Sequence, residues 1–373
     1  MEKFIVKNLT AENIEKELEK IGFDSGYKFV AADKFRYKNL KIFDLSSAQA
    51  NIIKQLALSV GADCGTHHDV ITGNVEKSDV ILGGSLSQLK KISEKLKSQP
   101  FSLNKISELI NIQLEKQDRK TKLAGILNVT PDSFSDGGKY LNPDDAIKHA
   151  YQLVEDGADI IDIGAESTRP YSKDILFDEQ IKRLKPVFEG LNGIKVPISI
   201  DTRSSLVAEF AVEHGASIIN DVSGLEYDPR IAEIAAANDV TVIIQHSKGT
   251  PENMQDNPEY TDVIDDIYFS LLNKIELAEY RGVKNLILDV GIGFGKTKED
   301  NYEILNRIEE FYSLGFPLMV GVSRKSLLGV ESDDNELKDA LTIAISYPLI
   351  NKGVDYLRVH NVKLHKQLIN SAI

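Results

Sequence analysis

The chain has 373 residues, which is too long for one ordinary domain and suits a large barrel joined to a smaller unit. Its formal net charge of −13 argues against nucleic acid or an anionic membrane as the main partner, because both favour basic surfaces. No apolar run approaches the ~20 residues that span a bilayer, and the one cysteine, Cys64, excludes an internal disulfide. We therefore expect a cytoplasmic protein. An anionic small molecule stays compatible with the charge if cations gather locally.

The segment before Lys122 predicts a small α/β unit. We expect helices at Ala11–Ile21, Ala48–Val60 and Leu86–Leu96, strands near Tyr27–Ala32, Lys41–Leu45 and Val80–Leu82, and a polar helical linker at Lys105–Lys120. We place the domain boundary so that residues 1–118 form this unit and residues 119–373 form a second domain. The role of the first unit is open, with partner binding and support of a dimer as two alternatives.

The run Cys64-Gly65-Thr66-His67-His68 raises a zinc hypothesis for this unit. It clusters three candidate ligands, whereas structural zinc sites usually take four ligands from the protein. A surface loop without metal is the alternative that we favour.

From Lys122 onward, short apolar runs alternate with amphipathic helical stretches such as Pro143–Glu155, Phe177–Glu189, Tyr260–Arg281 and Glu336–Asn351. The runs are nearly continuously apolar, as strands buried on both faces should be. There are eight: Leu123–Val129, Asp159–Gly164, Pro197–Asp201, Ser217–Asp221, Thr241–His246, Leu286–Gly291, Pro317–Val322 and Tyr356–His360. This alternation predicts a (β/α)₈ TIM barrel. The rival is an open doubly wound sheet, which would usually need a glycine-rich phosphate turn after its first strand.

Barrel enzymes build their active sites at the carboxyl ends of the strands, and nearly all eight predicted ends carry polar side chains. Asp201, Asn220 and Asp289 suit a flat heterocycle that presents several N–H donors. Each alone could be a helix cap or a structural strand-end residue, and only their joint placement favours function.

A second group of strand-end residues predicts a site for an anion. Asn128, Arg358 and His360 come from the adjacent first and eighth strands and could hold an anionic leaving group. Positive charge at the same mouth would come from Arg169, Arg324 and Lys325. A cleft with low-dielectric walls would focus this charge despite the acidic whole.

Two long motifs carry a family resemblance. The segment Gly125–Gly138, GILNVTPDSFSDGG, resembles the first signature of dihydropteroate synthases, and Asp159–Pro170, DIIDIGAESTRP, resembles the second. Shorter pieces follow in the expected order, at Ile200–Thr202, Ile219–Asp221, Asp289, Ser323–Lys325 and Arg358–His360. The resemblance covers Lys122 to the C-terminus, about two-thirds of the chain.

The resemblance implies a transferase that condenses 6-hydroxymethyl-7,8-dihydropterin pyrophosphate with p-aminobenzoate, with Mg²⁺ as cofactor and a homodimer as assembly. It implies that Asp201, Lys325, Arg358 and His360 are catalytic. It also implies three groups of binding residues: for the pterin Asp201, Asn220, Asp289, Phe294, Gly321 and Lys325; for the pyrophosphate Asn128, Arg358 and His360, with Asn128 near the metal; and for p-aminobenzoate Phe134, Thr168, Arg169, Pro170 and Ser323.

Ionisation of the pterin substrate is the mechanism that these residues favour. Diphosphate departure would leave a cation beside an electron-rich dihydropterin, which Asp201 is placed to stabilise. The loops Thr130–Tyr140 and Ser167–Ile175 are rich in Gly, Ser and Pro, and we expect them to close and exclude water.

The sequence departs from the family pattern at a few positions. Ala165 stands where Gly is usual, Gln245 where Met is usual, Val290 where Pro is usual and Asn361 where Asp is usual. Gln245 makes an apolar pocket wall polar.

Three other functions compete with this one. A methyltetrahydrofolate:corrinoid methyltransferase shares the pterin barrel, but it does not need the pyrophosphate group or the loop in the first signature. A metal-dependent hydrolase would need His-x-His on the first strand, which has no histidine. A non-catalytic scaffold predicts losses at Lys325, Arg358 or Asp201, and all three residues are present.

Overall fold

The computed structural model describes residues 4–115, 119–130, 142–166, 175–249, 254, 258–330 and 334–371. The chain forms two compact units, Met1–Gln117 and Asp118–Ile373. Among the helices that are described in these ranges, none is long and apolar enough to cross a membrane.

The first unit packs helices against a three-stranded antiparallel sheet with strand order β1-β3-β2. Its elements are α1 (Ile14–Lys20), α2 (Lys28–Ala32), β1 (Tyr37–Ser46), α3 (Ser47–Ser59), β2 (Asp63–Thr66), β3 (Lys77–Ser85), α4 (Leu86–Leu96) and α5 (Leu103–Leu114). Helices α3 and α4 each begin with a capping box, in which Ser46 pairs with Gln49 and Ser85 with Gln88.

The strand expected near Tyr27–Ala32 is wrong, because residues 28–32 form α2. Ala31 and Ala32 are buried together with Ile14 and Leu18 of α1. Adjacent buried residues do not fit the alternation of a half-buried strand, and this packing overrides the β-propensity of the aromatic and branched residues before them. Strand β2 was not predicted, since its four residues lack an apolar pattern.

The second unit is a closed parallel barrel in which each strand is followed by a helix. Its strands are β4 (Lys122–Asn128), β5 (Ile160–Gly164), β6 (Ile198–Asp201), β7 (Ile218–Asp221), β8 (Thr241–Gln245), β9 (Leu286–Asp289), β10 (Leu318–Val320) and β11 (Tyr356–Val359). Its helices are α6 (Pro143–Glu155), α7 (Phe177–Gly190), α8 (Ser205–Glu213), α9 (Arg230–Asn238), α10 (Val263–Tyr280), α11 (Lys298–Asn306), α12 (Asn335–Asn351) and α13 (Val362–Ser371). The predicted (β/α)₈ barrel is confirmed, and the ends of the predicted strands differ from the observed ones by at most two residues.

The barrel interior is apolar at one level and polar at the next. The apolar level is a cluster of buried side chains from Ala124, Ile160, Ile218, Ile243, Ile287 and Met319, with Tyr356 against it. Side chains alternate between the two faces of a strand, so the residue two positions further along each strand also points inward. Those residues form the floor of the site at the carboxyl ends of the strands.

Candidate active site

The next level of the barrel interior is polar on most strands. We call its polar members the polar ring: Asp162, Asp201, Asn220, Gln245, Asp289 and Arg358. The strand register places Asp201 beside Asn220 and Gln245 beside Asp289. Five of the six are buried, with 7% or less of their surface exposed, and Arg358 is half-buried. Such a concentration of polar groups inside a barrel indicates a ligand site.

Arg358 is the centre of the ring. Its Nε donates to Asp162 Oδ2 at 2.6 Å and its Nη2 donates to Asp201 Oδ2 at 2.5 Å. Asn220 Nδ2 donates to the same Asp162 oxygen at 3.1 Å. Among the described residues, the other oxygen of each aspartate, Oδ1, is buried without a hydrogen-bond partner. These two buried oxygens can therefore accept hydrogen bonds from a ligand that carries N–H groups.

Burial raises the pKa of Asp201 to about 7, although the Arg358 charge opposes the shift; the nearby Asp162 carboxylate adds to it. A carboxyl group with a pKa near neutral pH inside an enclosed site is a candidate functional group.

Asp289 and Lys325 form the second charged part of the site. Asp289 Oδ1 accepts from the Gly291 backbone N–H at 2.7 Å, and burial raises the pKa of its carboxyl while Lys325 lowers it. Lys325 Nζ donates to the Ile292 carbonyl and lies 4.6 Å from the centre of the Phe294 ring. Burial also lowers the pKa of Lys325 to about 8. A cation, a carboxylate and an aromatic ring thus lie close together in the site.

The glycine turn after β9 requires glycine for a steric reason. Gly291 has φ +70°, and a Cβ there would lie 1.7 Å from the His246 carbonyl oxygen. Lys296 closes the same turn, since its buried Nζ lies 2.9 Å from His246 Nδ1 and 3.0 Å from the Phe294 carbonyl oxygen. Val290, which departs from the family pattern, is fully buried in the apolar barrel core.

His360 and Ser323 lie together beside the ring. Ser323 Oγ is 2.9 Å from His360 Nδ1 and accepts from the His360 backbone N–H at 3.2 Å. Gly321 is buried next to Arg358, where a Cβ would be 3.7 Å from Arg358 Cβ. Asn128 is half-buried at the end of β4, in register with Gly164.

The structure therefore brings together most of the residues that the sequence predicts for the pterin and the pyrophosphate. Phe134, Thr168, Arg169 and Pro170, predicted to surround p-aminobenzoate, lie outside the described residues. So do most of the two loops expected to close.

The prediction that Arg324 supplies free positive charge at the mouth of the barrel is wrong. Its guanidinium is bound to Asp339 by two hydrogen bonds.

Asp162 and Lys296 are site residues without a predicted role. Asp162 interrupts the apolar strand β5 two residues after Ile160, which points into the barrel. Residues two positions apart share a face of a strand, so this spacing indicates that Asp162 also points inward. Lys296 gave no such signal, because its contact with His246 crosses fifty positions of sequence.

The structure does not support a zinc site made of Cys64, His67 and His68. Cys64 is buried in the core of that unit, and burial raises the pKa of its thiol to about 11. Among the described residues, the group that gathers candidate metal ligands is His67, His68 and Asp69 on the surface, without Cys64.

Comparison with known proteins defines the class of the barrel. A family model described as "Pterin binding enzyme" matches residues 124–360. The dihydropteroate synthase of Bacillus subtilis is 43% identical over 251 residues, which cover 65% of this chain and 85% of that one. The chain belongs to the dihydropteroate synthase family, and it is a transferase.

Two further relatives extend into the first unit. The bifunctional dihydropteroate synthase/dihydropteroate reductase of Helicobacter pylori is 33% identical over 378 residues, covering 98% of this chain and 97% of that one. A probable bifunctional folylpolyglutamate synthase/dihydropteroate synthase of Haloferax volcanii is 38% identical and matches 87% of this chain. The present chain spans only 42% of that protein.

Solved structures agree with this assignment. The Yersinia pestis dihydropteroate synthase, solved with a sulfonamide drug complex, is 36% identical with a TM-score of 0.64 and covers 68% of this chain and 93% of its own. The Thermus thermophilus enzyme, solved in complex with 6HMPPP, is also 36% identical with a TM-score of 0.58 and the same coverage.

Proposed function

We propose that the barrel joins 6-hydroxymethyl-7,8-dihydropterin pyrophosphate to p-aminobenzoate, giving 7,8-dihydropteroate and pyrophosphate. The observation that carries the proposal is the polar ring, in which buried acceptor oxygens of Asp162 and Asp201 have no partner among the described residues. A pterin presents ring N–H groups and an exocyclic amine along one edge, which complements such acceptors. The relative from Thermus thermophilus, solved with 6HMPPP, supports the same substrate.

Each residue group then has a role in bond cleavage. The C–O bond breaks with its electron pair leaving on the diphosphate, and the arylamine nitrogen forms the new C–N bond and loses a proton. Asp201 faces the cation that develops on the pterin and stabilises it electrostatically. Asp289 and Lys325 orient the ring. We assign the diphosphate to His360 and to Arg358, whose Nε and Nη2 donate to Asp162 and Asp201.

Mg²⁺ fits this site through Asn128. An amide oxygen is a hard ligand of the type that Mg²⁺ accepts, and Mg²⁺ usually completes its coordination with water and substrate phosphates. Asn128 would hold the ion at the end of β4, where the ion would neutralise charge on the departing diphosphate. The roles of His360 and Arg358 do not depend on it.

A steady-state assay tests the reaction. With Mg²⁺ and both substrates, purified protein should release pyrophosphate only when p-aminobenzoate is present. Methyl transfer from methyltetrahydrofolate to a corrinoid, with no pyrophosphate release, would establish the alternative enzyme class instead.

The two shifted pKa values predict a maximum in pterin affinity between pH 7 and 8. Binding uses ionised Asp201 as an acceptor and protonated Lys325 as a donor, whose pKa values are about 7 and about 8. Affinity should therefore rise as pH increases through 7 and fall as pH increases through 8. Calorimetric titration over a pH series measures this. In Lys325→Arg the alkaline fall should disappear, because a guanidinium keeps its proton, and an unchanged fall would contradict the assignment.

The raised pKa of Asp201 has the opposite effect on stability, which should fall as the pH increases. Its folded pKa is raised above the ordinary value of 3.8, so its contribution to the free energy of unfolding is fully present below 3.8 and is lost as pH rises through about 7. Ligand-free protein should lose stability over this interval while it gains affinity.

A second candidate function is the reduction of dihydropteroate. The observation that favours it is the end-to-end match with the Helicobacter pylori bifunctional protein, which includes the first unit, whereas the Bacillus subtilis synthase matches only 65% of the chain. Dihydropteroate should then be reduced when a hydride donor is added, and NADPH and a reduced flavin are the two donors to compare. No consumption of either donor with saturating dihydropteroate would reject this activity.

We also propose that the protein is a cytoplasmic homodimer. The single cysteine is buried and needs no oxidising compartment. Tyr280 of α10 and Leu337 and Tyr347 of α12 are exposed side chains to test by substitution for a role in the interface. Light scattering on the purified protein measures the assembly.

A further inference from the structure

Arg324 lies between two site residues but turns away from the site. On one side of it Ser323 contacts His360, and on the other Lys325 contacts the Ile292 carbonyl and the Phe294 ring. Arg324 itself has φ +57°, a left-handed conformation that is unfavourable for a residue with a Cβ. A conformation of this kind persists only where the surrounding contacts hold it in place.

Asp339 of α12 supplies those contacts. Arg324 Nε donates to Asp339 Oδ1 at 2.7 Å and Nη2 donates to Oδ2 at 2.8 Å, a two-point pairing of planar groups. The Arg324 backbone N–H donates to Thr342 Oγ1, one helical turn further along α12, at 3.3 Å. Side chain and backbone of Arg324 are thus both anchored to the same helix.

A third element joins through Asn361. Its Nδ2 donates to Asp339 Oδ2 at 3.0 Å, and its Oδ1 accepts from the Leu364 backbone N–H at the start of α13. Asn361 directly follows His360. The departure from the family pattern here has a physical reason, because an aspartate at 361 would place a second carboxylate against Asp339. Only 9% of the Asp339 side-chain surface is exposed, so water screens this pairing little.

We propose that Asp339 is a positioning residue for the transfer reaction. By holding Arg324 in its left-handed conformation, Asp339 fixes Ser323 and Lys325 toward the pterin and His360, and through Asn361 it couples this loop to the strand that carries Arg358. It touches no reacting atom. The expected effect of Asp339 on turnover rests on the proposed function, whereas its effect on pterin affinity can be measured without turnover.

The test compares Asp339→Asn with a matched ion pair elsewhere on the barrel. Asp355 pairs with Arg119 at the opposite barrel end, also binds the Leu318 backbone N–H, and is comparably shielded. We expect Asp355→Asn and Asp339→Asn both to lower the melting temperature. Only Asp339→Asn should weaken binding of the pterin alcohol, by about tenfold, as expected when one charged hydrogen bond from Lys325 is misplaced. Asp339→Glu, which keeps the charge, should recover part of the affinity.

Equal pterin affinity in Asp339→Asn and Asp355→Asn, measured calorimetrically below both melting temperatures, would overturn the proposal and leave Asp339 a purely structural residue. A wild-type protein that binds the pterin alcohol but makes no dihydropteroate would contradict the proposed function instead. Because affinity and turnover are read separately, the two failures are distinguishable.

Discussion

Replacing Asp289 with asparagine should abolish useful pterin binding while the protein stays folded. The carboxylate is buried beside Lys325, and its Oδ1 already accepts from the Gly291 backbone. An asparagine would keep that bond but turn an NH₂ group toward ring N–H donors of the ligand. A site built on such pairing discriminates by ~10⁴ or more when a buried partner is left unpaired. Titration with a pterin ligand measures the loss.

A thermal melt provides the control for Asp289→Asn. Burial raises the pKa of Asp289 above its ordinary value, so folding disfavours its ionised form, and a neutral asparagine in its place should not lower the melting temperature. Unchanged affinity with a lower melting temperature would show that Asp289 is a structural residue at the end of β9, and the pterin would have to lie elsewhere.

Arg358→Ala should damage both stability and turnover. The guanidinium bridges Asp162 and Asp201, and its loss leaves two buried carboxylates without this counter-charge. Breaking a buried ion pair by removing one partner costs about 3–5 kcal/mol. The variant also loses its charged hydrogen bond to the diphosphate, worth ~1.5–3 kcal/mol, so the pyrophosphate substrate should lose about tenfold or more in affinity beyond the loss for the pterin alcohol. Denaturant unfolding and paired titrations measure these effects.

The double variant Arg358→Ala/Asp162→Asn separates the two effects. Neutralising Asp162 removes one of the stranded charges and should recover part of the stability, but it cannot restore the diphosphate contact. If the double variant recovered both stability and turnover, Arg358 would serve only to neutralise the barrel interior.

The barrel was predictable because of where its strands lie. Strands that are buried on both faces have short, continuous apolar sequences, and a polar residue at the end of such a run is easy to recognise. Helix α6 carries its own start signal, since Asn142 accepts from the Asp144 N–H and Pro143 occupies the first turn. In the first unit, whose strands are antiparallel and partly exposed, a five-residue helix was mistaken for a strand.

The details of the site were harder to predict than its location. In the sequence Arg324 looks like a cation of the active site, and only the fold shows that Asp339, on a different element, binds it. In the same way, nothing local to Asp162 reveals that it shares Arg358 with Asp201, because the three residues lie on three different strands. Long-range pairing of charges is decided by barrel closure, which a single sequence does not display.

A single-turnover experiment shows whether the protein couples C–O bond cleavage to formation of the C–N bond. Protein in excess over the dihydropterin pyrophosphate is mixed with Mg²⁺ and p-aminobenzoate, and both products are quantified by mass spectrometry. We expect equal amounts of dihydropteroate and pyrophosphate. Pyrophosphate without dihydropteroate, or a substrate that stays bound and unconsumed, would contradict it.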